Sequence, residues 1–122
     1  EADPKIFKHL KSKNRKAWIG GFGLSDTTYA KNTSYYIQKR FSSRLGSGLI
    51  PSKNYHATQN VSIQCFPLYS VLLALNRTVI DFFSLDVEGS EMDILRTIPF
   101  DKILIKVITV EHLILKEGKL GL

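Results

Sequence analysis

Residues 80–111 constrain the fold more than any other part of the chain. Ile80-Asp81-Phe82-Phe83-Ser84-Leu85-Asp86 reads as a buried strand that stops at an acid. Gly89 permits a sharp turn, and a helix is expected from about Ser90 to Ile98, ended by Pro99. Ile103 to Val110 is nearly all apolar apart from Lys106 and Thr109, the pattern of a central parallel strand buried on both faces. Strand, helix and strand in this order make a βαβ unit with a right-handed crossover. Its two strands are expected to be neighbours or nearly so. Both end in acids on one edge, Asp86 and Glu88 on the first, Glu111 beside His112 on the second. Open α/β sheets bind their ligands at that edge.

The preceding residues extend the α/β pattern. Asp3-Pro4 is a helix start, with Asp able to cap free amides and Pro suited to the first helical position. Ile6, Phe7 and Leu10 form one apolar stripe of a helix expected to end near Asn14. Glu1 then stands where an upstream strand would end, the position from which an acid accepts from the hydroxyls of a nucleotide ribose. The glycine-rich turn expected ~20 residues before such an acid is not in this chain. The glycines at 20, 21 and 23 fall inside a strand reading of Ala17 to Leu24 and do not replace it. Ser34 to Gln38 is a further strand candidate, and residues 42–57 read as a long loop. Val61, Ile63 and Cys65 alternate with polar residues as a strand does, and Leu68 to Leu75 reads as a short apolar helix. Neither side of the loop could bury a core alone, so residues 1–122 read as one domain.

Composition removes several function classes. The lone Cys65 excludes an internal disulfide and a cysteine-built zinc site. No apolar run reaches the ~18 residues of a membrane span. The net charge is +6, much of it in Lys5, Lys8, Lys11, Lys13, Arg15 and Lys16. Such a run suits nucleic acid or an anionic membrane, but without aromatic interleaving it reads as the solvated face of a helix, and nucleic acid is not the expected partner. Asn32-Thr33-Ser34, Asn60-Val61-Ser62 and Asn76-Arg77-Thr78 are glycan acceptors in a luminal protein and chance triplets in a cytosolic one. Asp86, Glu88, Glu91, Asp93, Glu111 and His112 have no diagnostic metal spacing, and Glu91 and Asp93 read as a solvated helix face, so no metal is assigned. His9 and His56 read as surface residues, and no Ser-His-Asp or Cys-His arrangement is present. For Asp86-x-Glu88-Gly89 two readings stay open: carboxylates at a reaction centre, or a Glu88 or Ser90 that caps the next helix.

The run from Asp81 to Glu91, with Ile94-Leu95 and Ile98-Pro99-Phe100, resembles the FkbM-type methyltransferase domain. Glu1-Ala2-Asp3-Pro4 is similar to that family's acidic turn after its second strand. Cys65 to Ser70 and the segment ending Val110-Glu111-His112 are similar to later family segments, especially in arthropod Star-like members. The resemblance implies a doubly wound, mostly parallel, Rossmann-like sheet of the class I methyltransferase kind, incomplete here because the first strand with its glycine-rich loop and the last strands are missing. It implies S-adenosylmethionine as cofactor and an unidentified hydroxyl, small or glycan-like, as acceptor. On that map Glu1 holds the ribose hydroxyls, Ser25 and Asp26 lie near the adenine, and Asp86 and Glu88 face methyl transfer. It also implies that this chain alone is inactive. The other reading is a non-catalytic Star-like trafficking or binding module of the endoplasmic reticulum and Golgi, with a membrane anchor upstream; a cytoplasmic location is the alternative.

Overall fold

The computed structural model describes residues 1–39, 45–48, 57–87 and 89–111. The chain opens with helix α1, Pro4–Lys11. Asp3 caps it, its Oδ1 accepting from the N–H groups of Lys5 at 2.7 Å and Ile6 at 3.2 Å. The helix ends earlier than its stripe suggests. Ser12 N–H turns back to the His9 carbonyl, and Asn14 takes a left-handed conformation that asparagine tolerates.

Strands β1 (Gly23–Leu24), β2 (Lys31–Lys39), β3 (Leu45–Gly48) and β4 (Ala57–Phe66) form one sheet in the order β1-β4-β2-β3. β1 runs parallel to β4, whereas β2 runs antiparallel to both β4 and β3. Two expectations change here. Of the strand expected over Ala17 to Leu24, only the last two residues pair, and residues 45–48 of the expected long loop are a strand against β2. The glycines explain the first, because Gly20 and Gly21 give a ladder no side chains to pack. The second is the hairpin partner that β2 reaches through residues 40–44, outside the described ones.

The alternation in β4 is as expected. Ile63 and Cys65 face inward and pack with Tyr35 and Ile37 of β2. A second cluster joins Leu68 and Leu72 of helix α2 (Leu68–Ala74) to Ile98 and Ile103, with Leu24 against it. Successive residues of a strand face opposite sides, so β1 serves both clusters: Gly23 meets Cys65 while Leu24 enters the second.

The βαβ unit is present with its strands interrupted. β5 (Val79–Ile80) pairs in parallel with β7 (Leu104–Ile105), and β6 (Phe83–Leu85) with β8 (Ile108–Val110). Every pair in both ladders is offset by the same 25 residues, from Val79↔Leu104 to Leu85↔Val110. The two are therefore one ladder with a gap. Lys106 N–H donates to the Ile80 carbonyl and Phe83 N–H to that of Val107, and Lys106 Nζ lies 2.6 Å from Asp81 Oδ1. Helix α3, Glu91–Arg96, is the crossover, and Ile94 and Leu85 are almost fully buried. One expectation is corrected: the strand over residues 103–110 is not buried on both faces. Leu104, Val107, Ile108 and Val110 are exposed and of the run only Ile103 is buried, because the strand is paired on one side alone among the described residues. The described helices contain no segment long and apolar enough to cross a membrane.

Candidate active site

The constant register carries the ladder past its last paired residues. Glu111 N–H donates to the Leu85 carbonyl at 3.0 Å, so Asp86 and Glu111 leave the two strands together at one edge. Gly89 follows with φ 113°, a conformation that a side chain would strain, and α3 begins at Glu91. The Glu91 carboxylate folds back over this turn. Its Oε1 accepts from Val87 N–H at 3.0 Å and Gly89 N–H at 3.1 Å, and Oε2 accepts from Gly89 N–H at 3.0 Å. One carboxylate oxygen each from Asp86, Glu91 and Glu111 then lies within 4.8 Å of the others. Asp86 and Glu111 are exposed, and Glu91 is half-buried.

This arrangement answers part of the sequence reading. The expected convergence of Asp86 and Glu111 is present. Glu88 and His112 lie outside the described residues. Ser90 stands at the helix start without a side-chain capping bond. Glu91 is not the solvated residue expected; it ties down the turn and joins the carboxylates. Asp93 does face solvent, paired with Arg96 one turn on. The signal for Glu91 is readable afterwards: an acid at the first helical position, two residues after a glycine, can reach the amides of the turn. Chemically the cluster is an exposed acceptor-rich edge. It suits a hydroxyl or a cation, whether a small hard ion or an organic one.

The other candidates sit near β1 and α1. Glu1 is exposed, and its Oε1 accepts from Asp3 N–H at 2.8 Å, which fixes the carboxylate at the start of α1. Asp3 is fully buried, with Oδ2 unpartnered among the described residues. Ser25 is also fully buried. Its N–H donates to the Phe66 carbonyl, and its hydroxyl bonds the Tyr29 carbonyl and the Thr27 hydroxyl. Asp26 forms an ion pair with Lys31, Oδ1 to Nζ 2.5 Å. That partner raises the Lys31 pKa above its ordinary value, against the opposing effect of burial. Ser25 and Asp26 thus organise the turn between β1 and β2.

A parallel βαβ ladder with carboxylates converging beyond its strand ends defines an α/β protein with a strand-edge site. The chain belongs to the methyltransferase FkbM domain family, whose family model matches residues 1–118. The family implies a class I methyltransferase fold and a methyl donor and acceptor. Comparison with curated proteins and with solved structures finds no match.

Proposed function

We propose that the domain is the methyl-transfer domain of an S-adenosylmethionine-dependent enzyme acting on a hydroxyl acceptor. The observation that carries this reading is the meeting of Asp86 and Glu111 at the ladder edge, with Glu91 beside them. The donor set fits the cofactor, since carboxylates accept from ribose hydroxyls and offset a sulfonium charge. Bound there, S-adenosylmethionine would supply an electrophilic methyl group.

The chain's own residues do the rest. Glu1, whose carboxylate is held by Asp3 N–H, would accept from the ribose hydroxyls. Ser25 and Asp26 shape the turn assigned to the adenine side. One carboxylate, Asp86 or Glu88, would take the acceptor's proton or orient its hydroxyl, a contribution of about 10²- to 10⁴-fold. Glu91 holds the amides of Val87 and Gly89 beside Asp86. Holding the hydroxyl in line is the larger contribution, up to ~7–11 kcal/mol in favourable systems.

Calorimetry on the full gene product tests the reading. It should bind S-adenosylmethionine and its demethylated product, and Glu1→Gln should weaken both. Binding of neither compound removes the enzyme reading. The second reading, a secretory binding module, has the exposure of Asn32, Asn60 and Asn76 in its favour. A glycosidase-sensitive mass on a protein that binds neither compound would select it.

A further inference from the structure

We propose that α1 and the segment returning from it form a docking face for an anionic lipid bilayer. The first observation is where the charge lies. Six of the chain's 17 Lys and Arg residues fall between Asp3 and Asp26 with no acid among them, and the other 11 are matched by its 11 Asp and Glu. The whole net charge of +6 therefore belongs to one short segment. Lys5, Lys8, Lys11, Lys13, Arg15 and Lys16 are all exposed. Among the described residues none of them enters an ion pair; Lys11 alone engages the fold, its Nζ 5.1 Å from the centre of the Phe7 ring.

The second observation is apolar and independent of the charge. Trp18, the chain's single tryptophan, is 89% exposed, and the adjacent Ile19 is 38% exposed. They lie beside the helix. The Glu1 amino group donates to the Gly20 carbonyl, and Gly21 lies against the Phe7 ring, so the chain after α1 runs back along it. Ile6, Phe7 and Leu10 are half-buried, which turns the helix's apolar stripe inward and its lysines outward. The outward surface combines cations with one amphipathic ring and one aliphatic side chain. Tryptophan favours the bilayer interface, with its ring among acyl carbons and its N–H toward headgroups, and lysines beside it are drawn to anionic headgroups.

The composition favours lipid over nucleic acid. Five of the six cations are lysines, compact charges that do not make the bidentate contacts by which arginine reads phosphate and bases. One exposed aromatic in the segment offers no platform for successive bases. The sequence reading of a solvated helix face gave no weight to Trp18, whose exposure only the structure shows.

Co-sedimentation of the full chain with vesicles of phosphatidylcholine alone, or with added phosphatidylserine, tests this. Binding should require phosphatidylserine and weaken as salt rises. The Trp18 emission should shift to the blue on binding, and being the sole tryptophan it reports on that one position. Lys8→Glu, Lys13→Glu and Lys16→Glu together should lower partitioning about a hundredfold or more. Trp18→Ala should lower it while leaving the salt dependence intact. Equal binding to both vesicles, or no blue shift in the parent chain, overturns the proposal, as does tighter binding to a single-stranded oligonucleotide. The salt titration and emission shift use the unmodified chain, so the test holds even if a charge-reversed variant misfolds.

Discussion

Gly23→Ala tests the packing that holds β1 between the two clusters. Gly23 pairs with Cys65 across the parallel β1–β4 ladder. A Cβ there would lie 2.8 Å from Cys65 Sγ and 3.2 Å from Ile63 Cδ1. The sulfur contact is about 1 Å short of an unstrained one. Cys65 is only 1% exposed and packed by Tyr35, Ile37 and Ile63, so it has little room to retreat. Overpacking of this kind costs ~1–3 kcal/mol. The loss of glycine's freedom in the unfolded chain returns ~0.4–1 kcal/mol, leaving a net loss of ~1–2 kcal/mol. Cys65→Ala removes the obstructing atom and alone should cost about 1 kcal/mol. In the double variant the new methyl occupies the space of the lost sulfur, so it should be no less stable than Cys65→Ala alone. Urea titration followed by far-ultraviolet circular dichroism reads this directly; Trp18 is too exposed to report on the core. Costs that add to within ~0.5 kcal/mol would show that Gly23 and Cys65 are not in contact.

Ile94 is fully buried, so Ile94→Ala should cost ~2–5 kcal/mol in the same titration. Gly89→Ala should cost ~1–2 kcal/mol, because its φ of 113° lies where a Cβ is strained. Glu91→Ala should cost ~1–2 kcal/mol by removing the acceptor of two turn amides, while Asp93→Ala, whose partner Arg96 is exposed, should change stability by under ~0.5 kcal/mol. Burial raises the Cys65 thiol pKa. The folded state therefore favours the neutral thiol, and this contribution is present below the unfolded thiol value of about 8.5 and lost as pH rises through the folded value. Lys31, raised chiefly by its bond to Asp26, acts in the same direction above about pH 10.4. Urea midpoints should fall on the alkaline side, and Cys65→Ala should abolish the earlier part of that fall.

The parts of the fold readable from sequence were those whose signal is local. Asp3-Pro4 marked the start of α1, and alternation in Val61, Ile63 and Cys65 marked β4, while α3 closes at Arg96, short of the end expected at Pro99. The apolar run over residues 103–110 was readable as a strand but not as an exposed one. Hydrophobicity records what a strand is able to bury, and the pairing around it decides what is covered. β3 was hidden for a related reason: Leu45-Gly46-Ser47-Gly48 has loop composition, and only its register against β2 makes it a strand. In the site, Asp86 and Glu111 were legible because each stands at the end of a recognisable strand. Glu91 was not, because its helical position fits a solvent-facing acid equally well. Only the backward fold of its side chain onto the Gly89 turn separates the two.

The convergence of Asp86 with Glu111 is therefore a property of the ladder more than of the acids. These residues share no local motif. They meet because the 25-residue offset is kept on both sides of the gap at Asp81-Phe82. Side chains in a strand alternate, so a slip of one residue in either strand would send one acid to the opposite face. What prevents the slip is apolar: Ile80, Phe83 and Ile105 pack against Leu72, Ile98 and Ile103, and Leu85 is buried one residue before Asp86. The ion pair of Lys106 with Asp81 adds little to this, since both side chains are largely exposed. A carboxylate pair held this way is positioned by buried aliphatic contacts and left open to solvent at its tip. That combination, a rigid apolar support beneath an accessible carboxylate, is the feature on which the proposed transfer to a hydroxyl acceptor would rely.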